Sequence, residues 1–344
     1  MKGAIIGFGN IAEAHFEAYE TVLGMQILFI VDSSKIILDK VKKIYPDINC
    51  YFSIEDLFAE QNVDFIDICT PPNTHFNYIK SGLLAGCHVL CEKPFLIDTV
   101  NYPEILSLII SSKKQVYPLH NYKFAPAVKW MKEHVVSNEF GDFKYGHFRT
   151  IRGTHAKGAS HWKRDWRRIP EISGGGILFD HGPHNIYLSC FLLQSFPIAV
   201  SCITGIFRND NNYSDTEDTA LITLYFQNEV KIFIELSWAG SFRDTHFSLI
   251  GSKRILFVEN SKLHISKNGV FETISIDSEF DDPLHKNWFR EMFNDFLNLI
   301  ENPIRQNLLL QEALYTTMII QKAYESASKN GEIIPVTQYN CSDY

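Results

Sequence analysis

The chain has 344 residues, 45% of them hydrophobic and 21% charged, with a formal net charge of −8 and a pI near 5.9. That length exceeds a single core and suits two domains, and the apolar fraction is too high for extensive disorder. An acidic chain is poorly matched to nucleic acid or an anionic membrane, and its apolar runs are too interrupted to span a bilayer.

Seven scattered cysteines without metal-ligand spacing suit reduced thiols in a cytoplasmic protein. A strand expected from Lys2 leaves no room for a signal peptide ahead of the fold. Ala4–Ile6 is an apolar run followed by glycines, and Ile11–Tyr19 has a helical pattern. Further strands are expected at Ile27–Val31, Phe65–Cys69, His88–Cys91 and Val116–Leu119, with helices between them. Such alternation reads as βαβ units of a parallel sheet, a Rossmann domain over residues 1–122.

From residue 123 to 344 the pattern changes to an α+β domain. A helix over Ala125–Val136 leads into strands at Lys144–Ile151, Ala199–Phe207, Thr219–Phe226, Lys231–Ser237, Phe247–Ile250 and Ile255–Val258. Gln227–Glu229 and Lys267-Asn268-Gly269 suit hairpin turns. Helices are expected over Gly176–Leu193, His285–Ile300 and Leu308–Ser328. The sheet should be open and mostly antiparallel, with helices on one face. Its other face would be covered by a second copy, giving a homodimer or homotetramer.

Gly7-Phe8-Gly9-Asn10-Ile11-Ala12 joins the first strand to the first helix. Glycine permits the tight turn and the close approach of a pyrophosphate to the helix N-terminus, and a small Ala12 lets helix and strand pack. Asp32 ends the second strand 20 residues beyond Ala12, where a carboxylate accepts the ribose hydroxyls of NAD. Ser33, Ser34 and Lys35 follow it and keep NADP open as a cofactor.

Cys91-Glu92-Lys93-Pro94 ends another strand, at the carboxyl edge where open sheets bind ligands. Gly174-Gly175-Gly176 then opens the expected helix carrying Asp180 and His184, four residues apart and hence on one face. Pro183 should kink it. A carboxylate and an imidazole so placed suit gripping a substrate hydroxyl and moving its proton near neutral pH.

GFGNIA at 7–12, CTPPNTH at 69–75, CEKP at 91–94, NYKFAP at 121–126, DWRR at 165–168 and GGGILFDHGPH at 174–184 occur in the order of the Gfo/Idh/MocA family, which the chain resembles over about residues 2–335. The resemblance implies an NAD(P)-dependent oxidoreductase acting on a secondary alcohol or ketone of a sugar, cyclitol or nucleotide-linked sugar. It implies Lys93, Asp180 and His184 at the catalytic site. It further implies Thr70, Pro71, Asn73, His75, Glu92 and Asn121 around the cofactor, with Trp166 and Arg167 near the nicotinamide and Arg167 also near substrate. Lys123 stands where an arginine is common in that family, as a candidate substrate contact.

His161–Arg168 combines four cations with two tryptophans, which suits a loop closing on an anionic ligand. His155, His246, His285 and Trp288 are further candidates for the substrate pocket. The histidines show no HExxH or Cys/His ligand spacing, so no metal is expected. Two other functions fit the fold: a non-catalytic NAD-binding sensor or scaffold, and a reductase of a non-sugar carbonyl. The retained Lys93, Asp180 and His184 argue against the sensor.

Overall fold

The structure, a computed structural model, describes residues 1–159, 162–208, 216–259, 262–267, 269–276, 280 and 285–337. His161 and Asn268, named above, and Cys341, one of the seven cysteines, lie outside the described residues.

The first sheet is built from β1 (Lys2–Ile6), β2 (Gln26–Val31), β3 (Asn49–Tyr51), β4 (Phe65–Ile68), β5 (His88–Cys91) and β6 (Val116–Pro118). All its pairings are parallel, in the order β3-β2-β1-β4-β5-β6. Its strands are short apolar runs because both faces are covered. The helices between them are α1 (Asn10–Tyr19), α2 (Lys35–Ile44), α3 (Ile54–Glu60), α4 (His75–Leu84) and α5 (Tyr102–Ser112). The strand order reverses between β1 and β4, which opens a crevice at their carboxyl ends.

The remaining elements are α6 (Pro126–Val135), β7 (Phe143–Ile151), α7 (Pro170–Ser173), α8 (Ile177–Asp180), α9 (Gly182–Leu193), β8 (Ala199–Gly205), β9 (Thr219–Tyr225), β10 (Lys231–Ser237), β11 (Asp244–Gly251), β12 (Ile255–Glu259), β13 (Lys262–Lys267), β14 (Val270–Ser275), α10 (Lys286–Glu301), α11 (Gln306–Ser328) and β15 (Ile334–Pro335). The strands form one sheet, β14-β13-β12-β11-β7-β10-β9-β8-β15. It is antiparallel except for the parallel pair β7 and β10. β13, β14, β15 and the short β3 were not expected; their runs are short or carry exposed polar residues.

Helices α6, α8, α9 and the second half of α11 bury one face of this sheet. The opposite face carries exposed Tyr145, Ile203, Leu221 and Phe233. Helices α10 and α11 also return to the first sheet. Phe289, Met292, Phe293 and Phe296 of α10 join α1 on one face. Leu310, Ala313 and Leu314 of α11 join α3, α4 and α5 on the other.

The expected helix over Gly176–Leu193 is two helices. α8 stops at Asp180 and α9 starts at Gly182, with Pro183 in its first turn. A proline there gives up an N–H that has no partner in the helix, so it starts a helix more readily than it kinks one.

Candidate active site

The crevice holds a cavity of about 790 Å³, within the range of small-molecule sites. Gly7 to Ile11 line its floor. Gly7 adopts a φ of +83°, closed to most residues, as the chain turns from β1 into α1. The N-terminus of α1 has no side-chain cap, and a Cβ added at Gly9 would meet no atom within 4 Å. Unpaired N–H groups thus face open space, which suits a pyrophosphate. Asp32 accepts hydrogen bonds from Phe8 N and Ser34 N, both at 2.8 Å, and so sets the rim of the turn. Ser33, Thr70, Pro71, Asn73, Glu92 and Asn121 also line the cavity. These residues fit a dinucleotide.

A buried polar network lies behind that floor. His15 Nδ1 is 2.8 Å from Asp67 Oδ2, which also accepts from the Tyr19 hydroxyl at 3.0 Å. His15 Nε2 faces Glu92 Oε1 at 3.3 Å. Burial disfavours charge on His15, but Cys69 and Asp67 outweigh it and raise the imidazole pKa well above its ordinary value. Burial likewise works against the Glu92 carboxylate, and His15 and Lys93 overcome it. Burial pushes the Cys69 thiol up to about 12. Among the described residues, His15, Asp67 and Cys69 bring metal-ligand atoms within 4.8 Å of one another although far apart in sequence. The imidazole joins Asp67 and Cys69 through Nδ1 and turns Nε2 towards Glu92, the neighbour of Lys93.

Lys93 crosses to the second domain. Its Nζ donates to Asp180 O at 2.7 Å and to Asp180 Oδ1 at 3.1 Å. Arg167 Nε reaches the same Oδ1 at 3.3 Å, and His181 Nε2 stands 3.7 Å from Oδ2. Burial works against the Asp180 carboxylate; Lys93, Arg167 and His181 prevail and hold its pKa well below the usual range. His184 Nδ1 pairs with the Tyr187 hydroxyl at 2.9 Å, and its ring stacks on Tyr122. Burial, with the Lys93 and His181 charges, lowers the His184 pKa well below its ordinary value. A neutral imidazole can accept a proton. Asp180 therefore partners Lys93 across the domains, where the sequence suggested a partnership with His184 along one helix.

The glycine run serves this placement. A Cβ at Gly176 would lie 2.0 Å from Glu217 O, and one at Gly175 would lie 2.0 Å from the Tyr324 hydroxyl. Glu217 accepts from Gly176 N, Leu178 N and the Tyr324 hydroxyl, and so caps α8 from the segment just before β9. Nothing local in sequence marked Glu217.

Trp166 and Arg167 line the cavity, and the Arg167 guanidinium lies 4.3 Å from the Trp166 ring. Arg168 turns inward instead and donates to Thr216 O. His155 and His285 line the cavity; His246 and Trp288 do not, and Trp288 stacks beneath His285 at 4.0 Å. Two expected contacts fall elsewhere. His75 is buried behind the wall, bonding Thr70 O and Pro94 O, each at 2.9 Å. Lys123 pairs with the buried Glu312 of α11, beside His120, and does not line the cavity. Glu312 lies 189 positions away, which hid that pairing. The wall also contains Arg152 and Arg243, which lie outside every motif, and His181, which lies within the glycine motif but was given no role there.

Residues 1–120 match the family model described as an oxidoreductase family with an NAD-binding Rossmann fold, and residues 128–257 match the GFO/IDH/MocA C-terminal domain. The chain belongs to the GFO/IDH/MocA oxidoreductases. As such it is an NAD-binding enzyme with a Rossmann domain followed by a mixed-sheet domain. It is 23% identical over 345 residues to a D-glucoside 3-dehydrogenase of Escherichia coli, covering 95% of each chain. An oxidoreductase from Agrobacterium radiobacter, solved with NAD+, L-tartaric acid and magnesium, superposes with a TM-score of 0.85 at 19% identity, covering 97% of this chain and 98% of that one. A Sinorhizobium meliloti protein described as a putative myo-inositol dehydrogenase gives a TM-score of 0.81 at 18% identity, covering 98% and 100%. At such identities these two likenesses speak to the fold. Among the described residues, no helix is long and apolar enough to cross a membrane.

Proposed function

We propose that the chain is a dehydrogenase that oxidises a secondary alcohol of a sugar, cyclitol or nucleotide-linked sugar, or reduces the matching ketone. The observation that carries this is the Lys93–Asp180 contact beside the buried His184 in a cleft that fits a dinucleotide. Gly7, Phe8, Gly9, Asn10 and Ile11 hold the pyrophosphate, and Asp32 with Ser33 holds the ribose and favours NAD over NADP. Thr70, Pro71, Asn73, Glu92, Asn121, Trp166 and Arg167 complete the cofactor's surroundings. When bound, NAD supplies the hydride acceptor.

His184 takes the hydroxyl proton on Nε2, while its Nδ1 proton is donated to the Tyr187 oxygen. The ammonium of Lys93 has three N–H donors. Asp180 occupies two, which leaves one for the developing oxyanion. Asp180 fixes the direction of that third donor, and Arg167 shares its charge.

The chain acts in the cytoplasm, in keeping with six described cysteines that are all free. It assembles as a dimer or tetramer through the outer sheet face, where Tyr145, Leu221 and Phe233 are exposed. Light scattering that finds a monomer overturns that assembly.

The enzymatic test is NADH formation with a panel of sugars, cyclitols and nucleotide sugars, for the wild type, Lys93→Ala and His184→Ala. Each variant should lose about 10²–10⁴-fold in kcat, with NAD affinity retained by calorimetry. Near-normal turnover in both variants refutes the mechanism.

A further inference from the structure

Arg152 follows β7 and Arg243 precedes β11, and the register pairs Ile151 with Asp244. The two arginines therefore flank neighbouring strand ends, and both line the cleft. Arg152 is 6% exposed. Its Nη1 donates to Ile151 O and Asp244 O, each at 2.8 Å, and its Nη2 to Thr245 Oγ1 at 3.0 Å, while its Nε has no partner. Arg243 Nε donates to Phe280 O at 3.0 Å.

Neighbouring carboxylates are engaged elsewhere. Asp244 bonds Arg149, and Asp180 bonds Lys93 and Arg167. Among the described residues, neither Arg152 nor Arg243 has a carboxylate within ion-pair distance. Tyr122 and, at longer range, the Asp180 charge act on Arg152, and both guanidinium charges bear on His181, whose Nδ1 is buried with no partner among the described residues. Burying a cation without a counter-ion is costly; Arg152 is buried, Arg243 on the neighbouring strand end is half-buried, and the orphaned imidazole nitrogen adds to the demand. Among the described residues no carboxylate answers the pair, which faces a stretch of the cleft wall suited to an anion. That stretch lies on the His181–His184 side, with the proposed chemistry, whereas the helix end that suits a pyrophosphate is at Gly7–Gly9.

Resting on the dehydrogenase reading above, we propose that the substrate carries an oxyanion substituent, a carboxylate or a phosphate ester, received by Arg152 and Arg243 while Lys93 and His184 act on a hydroxyl of the same molecule. Arg243 offers its two terminal nitrogens as a fork, and Arg152 backs it with a fixed positive charge. His181 supplies a further contact. The site is specificity-determining: a neutral sugar offers the two guanidinium groups no charge.

The test compares kcat/KM for matched pairs in the presence of NAD: hexose against hexuronate, methyl glucoside against its uronate, and hexose or inositol against its monophosphate. The wild type should favour an anionic member by about 10²-fold or more. The carboxylate and phosphate arms show which oxyanion is taken. Because Arg152 also ties the ends of β7 and β11, Arg243→Gln is the primary variant. It should cut the anionic-to-neutral ratio about tenfold or more. A wild-type ratio near one, or a preference that survives Arg243→Gln, overturns the inference. Titration calorimetry of the same sugars into the NAD-bound protein reads binding apart from turnover. Selective anion binding that Arg243→Gln weakens, without NADH formation, upholds the subsite and overturns the dehydrogenase reading. Equal or absent binding of both members overturns the subsite.

Discussion

Replacing Asp180 with asparagine isolates the charge that ties the two domains together. The amide keeps the shape, the Oδ1 acceptor and the backbone carbonyl that Lys93 uses. It removes the negative charge that Lys93 and Arg167 share, in side chains that are 11% exposed for Asp180, 17% for Lys93 and 22% for Arg167. Breaking a buried ion pair costs about 3–5 kcal/mol; retained hydrogen bonds and the open cleft reduce this to about 2 kcal/mol at pH 7. In a chain of this size that lowers Tm by roughly 3–6 °C. With Lys93 less firmly aimed, kcat should fall about 10²-fold.

The pH dependence has a definite sign. The folded carboxyl pKa is held well below the unfolded value of about 3.9. Its contribution is therefore complete above the unfolded pKa and lost as pH falls through the folded one. The gap in Tm between wild type and Asp180→Asn should be constant from about pH 6 to 8 and begin to close below about pH 5. Calorimetric scans of both proteins across that range are the assay. A variant as stable as wild type at pH 7, or a gap that widens on acidification, refutes the compensation.

Three further outcomes are expected. Glu217→Ala leaves two amides and the Tyr324 hydroxyl without their acceptor. It should cost about 3 kcal/mol and lower kcat with it; an unchanged Tm on thermal scanning rules out the cap. Because burial and neighbouring cations depress His184, the acid limb of kcat for alcohol oxidation should lie below the ordinary histidine value of about 6.5. A limb at or above that value assigns the base elsewhere. Asp32→Ser should weaken NAD binding about tenfold and narrow the discrimination against NADP. Titration with both cofactors reads the change, and an unaltered ratio removes Asp32 from cofactor choice.

The parts of the molecule legible in the sequence are those whose cause is local. The glycine turn, the carboxylate ending β2 and the lysine ending β5 each follow from a strand and the residues just after it. The break between α8 and α9 was misread because Gly182-Pro183 was treated as a flaw inside a helix, when proline in a first turn begins one. Contacts made across the fold left no trace. Lys123 finds Glu312 on α11, Glu217 caps α8 from beside β9, and His15 meets Asp67 and Glu92 through three separate βα units. Arg152 and Arg243 escaped notice for the same reason. Each is a single cation at a strand end, and only the register of β7 with β11 makes them a pair.

The return of α10 and α11 to the first sheet bears on how the protein is made. A nascent chain of the first 120 residues has emerged with its nucleotide fingerprint complete, yet Phe65, Leu90 and Tyr117 still lack the α10 rings that cover them. On the other face, β6 waits for Gln306, which bonds Val116 N and O. Domains that fold as they leave the ribosome do so in order of synthesis. This one lacks part of both faces of its first sheet until residues 289–314 appear. The first sheet is begun before the second yet completed after most of it, and the cofactor cleft is closed from behind by α10 and α11.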